Sequence, residues 1–136
     1  MLFRSAALDA SGVKHRVQIL QGVDDEDLAA LYSGAVACVF PSKYEGFGLP
    51  AVEAMACGVP VIASHAGSLA EVGQDAGIIV DPDDSSAIAT GTRRLMEDAG
   101  FRADLMARGF VQASHFSWDD AGVQVLREFK RVAGVG

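Results

Sequence analysis

Short apolar runs alternate with amphipathic segments along the chain, which is the pattern of strands separated by helices. The apolar runs at residues 17–20, 35–40, 61–63 and 77–80 are typical of strands. The run at 35–40 contains no polar residue, as expected for a strand buried on both faces of a sheet. Strands that alternate with helices favour an α/β fold, and we predict a doubly wound, Rossmann-like parallel sheet of about four strands with helices on both faces.

Capping residues predict the helices between these strands. Asp24 opens a helix after the first run, because acidic side chains stabilise the first turn. Pro50 suits the first position of the next helix, which Gly58 ends. Ser68 caps a short helix that runs to residue 72. Each of these helices follows an apolar run, as a doubly wound sheet requires.

The segment from about residue 85 to residue 133 is predicted to be helical. One helix spans residues 85–97, a second spans residues 102–114, and Ser117 caps a third. The third helix has an apolar stripe at helical spacing that we expect to pack in the core, formed by Trp118, Ala121, Val125, Phe129 and Val132.

Composition limits the function classes. The chain has 136 residues, half of them hydrophobic, which predicts one domain over residues 1–136. The net charge of −7 argues against a nucleic-acid partner, which needs a basic face, but a helix N-terminus can still bind a small anion. Cys38 and Cys57 are too few for a disulfide framework, so we expect a reducing, cytoplasmic location. No apolar run is long enough for a transmembrane segment, and residues 1–12 lack a secretory signal.

The loop at residues 41–48 connects a predicted strand to a predicted helix. Gly46 and Gly48 remove side chains from this loop, so that backbone N–H groups can approach a ligand closely. The helix that begins at Leu49 or Pro50 directs its free N–H groups and positive dipole end to the same place. In open parallel sheets, ligands bind at the carboxyl ends of the strands. The loop therefore predicts a diphosphate site, although glycines at this spacing are common in turns.

Two carboxylates flank the loop. Glu45 precedes the glycines, and Glu53 lies in the first turn of the helix or just beyond it. A carboxylate next to a phosphate is repelled by it and should serve another part of the ligand. Sugar hydroxyls are the expected partners, because an ionised carboxylate is a strong hydrogen-bond acceptor.

The segment EGFGLPAVEAMACGVPVIAS, which begins at Glu45, resembles the E-x7-E signature of the retaining glycosyltransferases with the GT-B fold, known as group 1 or family 4. The similarity covers roughly residues 17–132 in order, which makes it specific. Further segments that are similar to the family pattern are Val-Phe-Pro-Ser before the signature, Gly22 with residues 24–32, Gly67-Ser68-Leu69, Val80-Asp81-Pro82 and Phe116-Ser117-Trp118.

The resemblance implies a role for each matching residue. Glu45 matches the glutamate at the donor-sugar hydroxyls near the anomeric carbon and is the catalytic candidate, and Glu53 matches the glutamate that binds the nucleotide ribose. The resemblance also implies that the family transfers a sugar from a nucleoside diphosphate with retention and without a metal or other cofactor. Electrostatic stabilisation of the leaving diphosphate then replaces the metal. The resemblance further implies that the diphosphate contacts Gly46, Phe47, Gly48 and Leu49. It implies that the base lies against Gly22 and Val23.

The family pattern also has an arginine and a lysine upstream that grip the diphosphate, and this chain does not contain them. We therefore expect a donor-binding domain truncated at its N-terminus, the C-terminal half of a GT-B enzyme without its acceptor-binding domain. Such a chain should be inactive alone, and the full-length enzyme should be cytoplasmic or membrane-peripheral. The incomplete sheet would leave residues 17–20 as an exposed edge strand. We expect self-association through that edge or through the apolar faces left bare by the missing helix.

Several of these residues have simpler explanations. Glu53 also fits a helix acid favoured by the dipole, and Glu45 fits a solvated loop acid. The D-x-D segments at residues 25–27 and 81–83 suit a helix start and a turn, so no metal site is predicted. His65 follows a predicted strand and could face the ligand, with an ordinary loop histidine as the alternative.

Lys43 could approach a phosphate or be a solvated lysine. The alternative functions are a non-catalytic nucleotide-binding module and a sugar-nucleotide epimerase-like protein of the same fold. A dehydrogenase is disfavoured, because no G-x-G-x-x-G follows a first strand.

Overall fold

The protein has a parallel three-stranded sheet with helices on both faces. The computed structural model describes the backbone of residues 2–135 and side chains from residue 6 onward. The strands are β1 (Cys38–Phe40), β2 (Val61–Ser64) and β3 (Gly77–Val80), in the order β1-β2-β3. In the register, Cys38 pairs with Val61, and Val61 pairs with Gly77. All three strands therefore end at one edge of the sheet, as the predicted α/β fold requires.

Helices account for most of the described chain. The α-helices are α1 (Leu2–Ala10), α2 (Asp25–Ser33), α3 (Leu49–Ala56), α4 (Leu69–Gly73), α5 (Ser85–Glu97), α6 (Ala99–Ala113) and α7 (Trp118–Ala133). Short 3-10 helices lie at Lys14–Arg16 and Gln74–Ala76. Helix α6 begins earlier than the predicted residue 102, because the Asp98 carboxylate accepts from the N–H of Phe101 at 2.8 Å and caps it there.

The predicted strand at residues 17–20 is not formed, so the described residues contain three strands instead of four. A strand is stabilised by hydrogen bonds to a neighbouring strand, and no strand of the described chain pairs with this segment. Its apolar side chains are instead exposed, with Ile19 at 64% and Leu20 at 55%. The segment is therefore not an edge strand, and the expected self-association stays a prediction. Strand β1 is the edge strand nearest in sequence, and Val39 on it is 42% exposed.

The core lies on both faces of β2, whose four residues are all buried. Val61 and Ala63 belong to a cluster with residues of α3 and α4, whereas Ile62 belongs to a cluster with Leu95 of α5. This division follows from the alternation of side chains along a strand. The central strand thus fixes the helices on either side, and with them the loops at its carboxyl end.

Helix α7 contradicts the prediction of a core stripe. Trp118 is 81% exposed and Phe129 is 69% exposed, and the helix has no buried residue. The helix itself forms as predicted, since the Ser117 hydroxyl accepts from the N–H of Asp120 at 3.2 Å. The apolar stripe correctly indicated a helix with one apolar face, but nothing within the described residues buries that face.

Candidate functional site

The predicted ligand loop lies at the carboxyl edge of the sheet, between β1 and α3. Helix α3 begins at Leu49, and Pro50 occupies its first turn. Gly48 caps the helix in the left-handed region, with φ of 91°, and a Cβ on it would clash with the side chain of buried Leu69. Only glycine adopts this conformation readily. The junction thus brings the main chain of the loop directly onto the N-terminus of α3, where free N–H groups and the helix dipole favour an anion.

A second loop, at residues 64–68 after β2, supports the first. The Ser64 hydroxyl donates to the carbonyl oxygen of Ser42, and the Ser68 hydroxyl donates to the carbonyl oxygen of Gly46 at 3.1 Å. Gly67 has φ of 57°, and a Cβ on it would collide with the carbonyl oxygen of Glu45. The two loops are therefore in backbone contact around Glu45. No role for Ser64 was expected from the sequence, because its hydrogen-bond partner lies 22 residues away along the chain.

Glu45 is partly buried and oriented by a neighbouring hydroxyl. The Ser42 hydroxyl donates to its Oε1 at 2.9 Å. Such a bond suits an ionised carboxylate, which acts only as an acceptor. Glu45 is therefore an oriented side chain in the loop, unlike a freely solvated acid. Ser42 ends the Val-Phe-Pro-Ser segment that resembles the family pattern, but no role for its side chain was expected from the sequence.

Glu53 has an exposed side chain on α3 and lines a pocket of about 250 Å³ between α2 and α3. Tyr32 and Cys57 are among the other residues that line it. Burial, followed by the nearby Cys38 and Glu53 groups, raises the pKa of Tyr32 to about 12. Burial and Glu53 raise the pKa of Cys38 to about 11. The phenol and this thiol therefore stay neutral near pH 7, so they add no charge to that of the Glu53 carboxylate.

An aromatic contact fixes the middle of the ligand loop. The rings of Phe47 and Phe116 meet edge to face, with centroids 5.4 Å apart and planes at 88°. Phe47 remains 44% exposed and Leu49 41% exposed, and Gly46 is also at the surface. The backbone predicted to contact a diphosphate is therefore open to solvent and tied to the segment before α7.

The other candidate residues are Gly22, Val23 and His65, and all three are exposed. Gly22 and Val23 are exposed and precede α2, whose first residue, Asp25, lines the same pocket as Glu53. Neither Gly22 nor Val23 lines the pocket itself. His65 is exposed and lies in the loop after β2, next to Ser64.

The ammonium of Lys43 forms an exposed ion pair with Asp83, and such pairs are weak. The Asp81 carboxylate accepts from the N–H of Asp83 at 2.9 Å, which is the turn expected of this D-x-D segment. The other D-x-D segment lies in the first turn of α2, where the Asp24 carboxylate accepts from the N–H of Asp27 at 2.9 Å. Among the described residues, no group of three or more His, Cys, Asp or Glu side chains could hold a metal ion.

A second depression, of about 540 Å³, lies between α5 and α6 and is lined by Arg93, Arg94, Glu97 and Asp98, among others. It is larger and more open than the pocket beside Glu53. Its lining includes both positive and negative side chains and no glycine loop. We therefore place the candidate site at the β1–α3 loop. A parallel α/β sheet with a glycine loop leading into a helix and two flanking carboxylates is the arrangement that suits a phosphorylated, hydroxyl-rich ligand.

Comparisons with known proteins agree with this description. The family model "Glycosyl transferases group 1" matches residues 4–111. The O-antigen chain mannosyltransferase B of Escherichia coli is 46% identical over 114 residues, which are 84% of this chain and 30% of that protein. The D-inositol 3-phosphate glycosyltransferase of Salinispora tropica is 44% identical over 113 residues, which are 81% of this chain and 23% of that protein. This chain therefore belongs to the group 1 glycosyltransferases.

Solved structures show the same fold. Sucrose-phosphate synthase from Thermosynechococcus elongatus superposes with a TM-score of 0.88 at 34% identity, covering 96% of this chain and 33% of that one. Anabaena HepE in complex with UDP-glucose superposes with a TM-score of 0.86 at 25% identity, covering 93% of this chain and 35% of that one. The fold is the GT-B fold. The chain spans about a third or less of the length of these four proteins.

Among the residues that the structure describes, no helix combines the length and the apolar character needed to cross a membrane.

Proposed function

We propose that this chain is the donor-binding part of a glycosyltransferase, which binds a nucleoside-diphosphate sugar for transfer of the glycosyl group with retention of configuration. The observation that carries the proposal is the glycine junction at Gly48, which places the main chain of the loop on the N-terminus of α3 with a carboxylate on each side. Anabaena HepE, a structural neighbour, has been solved with UDP-glucose and with UDP, which supports the same class of ligand.

Each part of the donor has a proposed partner. The diphosphate binds the backbone of residues 46–49 at the positive end of α3, which favours an anion. The ribose hydroxyls donate to Glu53, which lines the pocket beside α2. The base lies toward Gly22 and Val23, which precede the pocket residue Asp25. The transferred sugar lies against Glu45.

Transfer also requires an acceptor site, and the relatives are about three times as long as the matched region. We therefore propose that the chain by itself binds the donor but does not transfer the sugar, and that a further domain supplies the acceptor site. No metal is proposed for the diphosphate. Helix α3 contributes its dipole, and chelation with EDTA should leave donor affinity unchanged.

The ribose assignment is tested by calorimetric titration of UDP into the chain. Glu53→Ala should weaken binding at least about tenfold, because each hydrogen bond to a charged group contributes about 1.5–3 kcal/mol. Glu97→Ala is the matched control, since Glu97 is also an exposed helical glutamate but lies beside the other depression. An unchanged dissociation constant for Glu53→Ala would reject the assignment, and failure of the unaltered chain to bind UDP or other nucleoside diphosphates would reject the proposed ligand.

A further inference from the structure

A chain of serine hydroxyls leads from the core of the sheet to Glu45. Ser64 is the last residue of β2 and has no exposed surface. Its hydroxyl donates to the carbonyl oxygen of Ser42 and accepts from the N–H of Ala66 at 3.4 Å. A buried hydroxyl is costly unless it is hydrogen-bonded, so these bonds hold Ser64 in place. Through the hydrogen bond from the Ser64 hydroxyl, the sheet fixes the backbone of Ser42.

Ser42 extends this connection to Glu45. Its hydroxyl donates to Oε1 of Glu45 at 2.9 Å across a partly buried pair three residues apart. Hydrogen bonds that involve a charged group are about twice as strong as neutral ones. The bond closes the loop on itself and restricts the rotation of a long side chain that would otherwise adopt several rotamers.

We propose that Ser42 is a positioning residue for Glu45, and that Ser64 anchors Ser42 to the sheet. The inference rests on the proposed function, in which Glu45 accepts hydrogen bonds from the donor sugar. A side chain that is oriented before the ligand arrives loses less conformational entropy on binding. Ser42 should therefore strengthen the binding of the sugar portion of the donor and leave the nucleoside diphosphate portion unaffected.

The first test compares UDP with UDP-glucose as ligands of the 136-residue chain. Ser42→Ala should weaken the binding of UDP-glucose by up to about tenfold and leave the binding of UDP unchanged, in line with the entropy lost when one long side chain is immobilised on binding. The control is Ser114→Ala, which removes an exposed hydroxyl at the C-terminal end of α6 that donates to the carbonyl oxygen of Val111 at 2.7 Å. This substitution should alter the dissociation constant of neither ligand. Equal weakening of both ligands, or no change in either, would overturn the proposal.

The second test uses the Glu45→Ala background. If Ser42 acts only through Glu45, then Ser42→Ala should have no further effect on UDP-glucose binding once the carboxylate is absent. A second tenfold loss in that background would show that Ser42 acts on the ligand independently of Glu45. That result would contradict the positioning role.

The third test needs no ligand and separates a failure of this inference from a failure of the proposed function. Three-bond couplings of the Glu45 side chain, measured by NMR on the free chain, report whether one rotamer or several are populated. One rotamer is expected in the unaltered chain and in Ser114→Ala, and averaged couplings are expected in Ser42→Ala. Averaged couplings in the unaltered chain, or unchanged couplings in Ser42→Ala, would refute the positioning role whether or not UDP binds.

Discussion

The contact between the two loops at Gly67 can be tested by adding a single methyl group. Gly67 has φ of 57°, and a Cβ there would collide with the carbonyl oxygen of Glu45. In Gly67→Ala, the left-handed backbone costs about 1–2 kcal/mol for a non-glycine residue. Displacing a packed backbone atom costs about 1–3 kcal/mol more. We therefore expect the free energy of unfolding to fall by about 2–5 kcal/mol, the sum of the two effects.

Two other glycines separate these effects. Gly22 has φ of 65°, and no atom lies within 4 Å of its Cβ position. Gly22→Ala should therefore lower the free energy of unfolding by the cost of the left-handed backbone alone, about 1–2 kcal/mol. Gly122 lies inside α7 with no atom within 4 Å of its Cβ position. Gly122→Ala should therefore raise the stability by about 0.5–1 kcal/mol, because alanine favours a helix.

Urea unfolding followed by circular dichroism measures the three changes on one scale, with the slope of the transition as a check on two-state behaviour. The order of stability should be Gly122→Ala first, the unaltered chain second, Gly22→Ala third and Gly67→Ala last. A Gly67→Ala loss no larger than that of Gly22→Ala would refute the close approach of the two loops at Glu45.

Two further predictions concern the groups around Glu53. The substitution Tyr44→Phe leaves Tyr32 as the one tyrosine, so that near-ultraviolet absorbance reports its ionisation alone. Tyr32 should ionise near pH 12 in this background. Adding Glu53→Gln should lower the pKa of Tyr32, because a neighbouring negative charge is removed. A pKa near 10 before the second substitution would contradict the burial. The pKa of Cys38 is raised from 9.0 to about 11, so its contribution to stability is complete below pH 9 and is lost as the pH rises toward 11. In a Cys57→Ser background, alkylation at pH 8 should be slow until the chain is unfolded, whereas rapid alkylation of the folded chain would contradict a raised pKa.

Much of the fold follows from local sequence patterns. The helix predicted at residues 85–97 forms as Ser85–Glu97, because the Asp84 carboxylate accepts from the N–H groups of Ser86 and Ala87 at its start. The strand predicted at residues 77–80 also forms within its predicted bounds. Capping residues and apolar runs act over a few residues, so they can be recognised without knowledge of the tertiary structure.

The predictions that were wrong depended on distant partners. Residues 17–20 have the apolar composition of a strand, but a strand exists only beside another strand, and none of the described residues supplies one there. Trp118 and Phe129 share the apolar face of α7, but that face is covered only if another element lies on it. In both places, composition described the segment correctly and could not indicate its neighbour.

The sequence by itself determined the identity of the candidate site. The spacing of Glu45, Gly48 and Glu53 reflects chemistry within one loop and one helix, and it predicted where the ligand would bind. Only the tertiary structure decided how Glu45 is held. Ser64 is the last residue of β2, 22 residues from Ser42, and the two meet only because parallel strands end at the same edge of the sheet. Because that meeting depends on the register of β1 and β2 and on no local pattern, no reading of the chain alone could have found it.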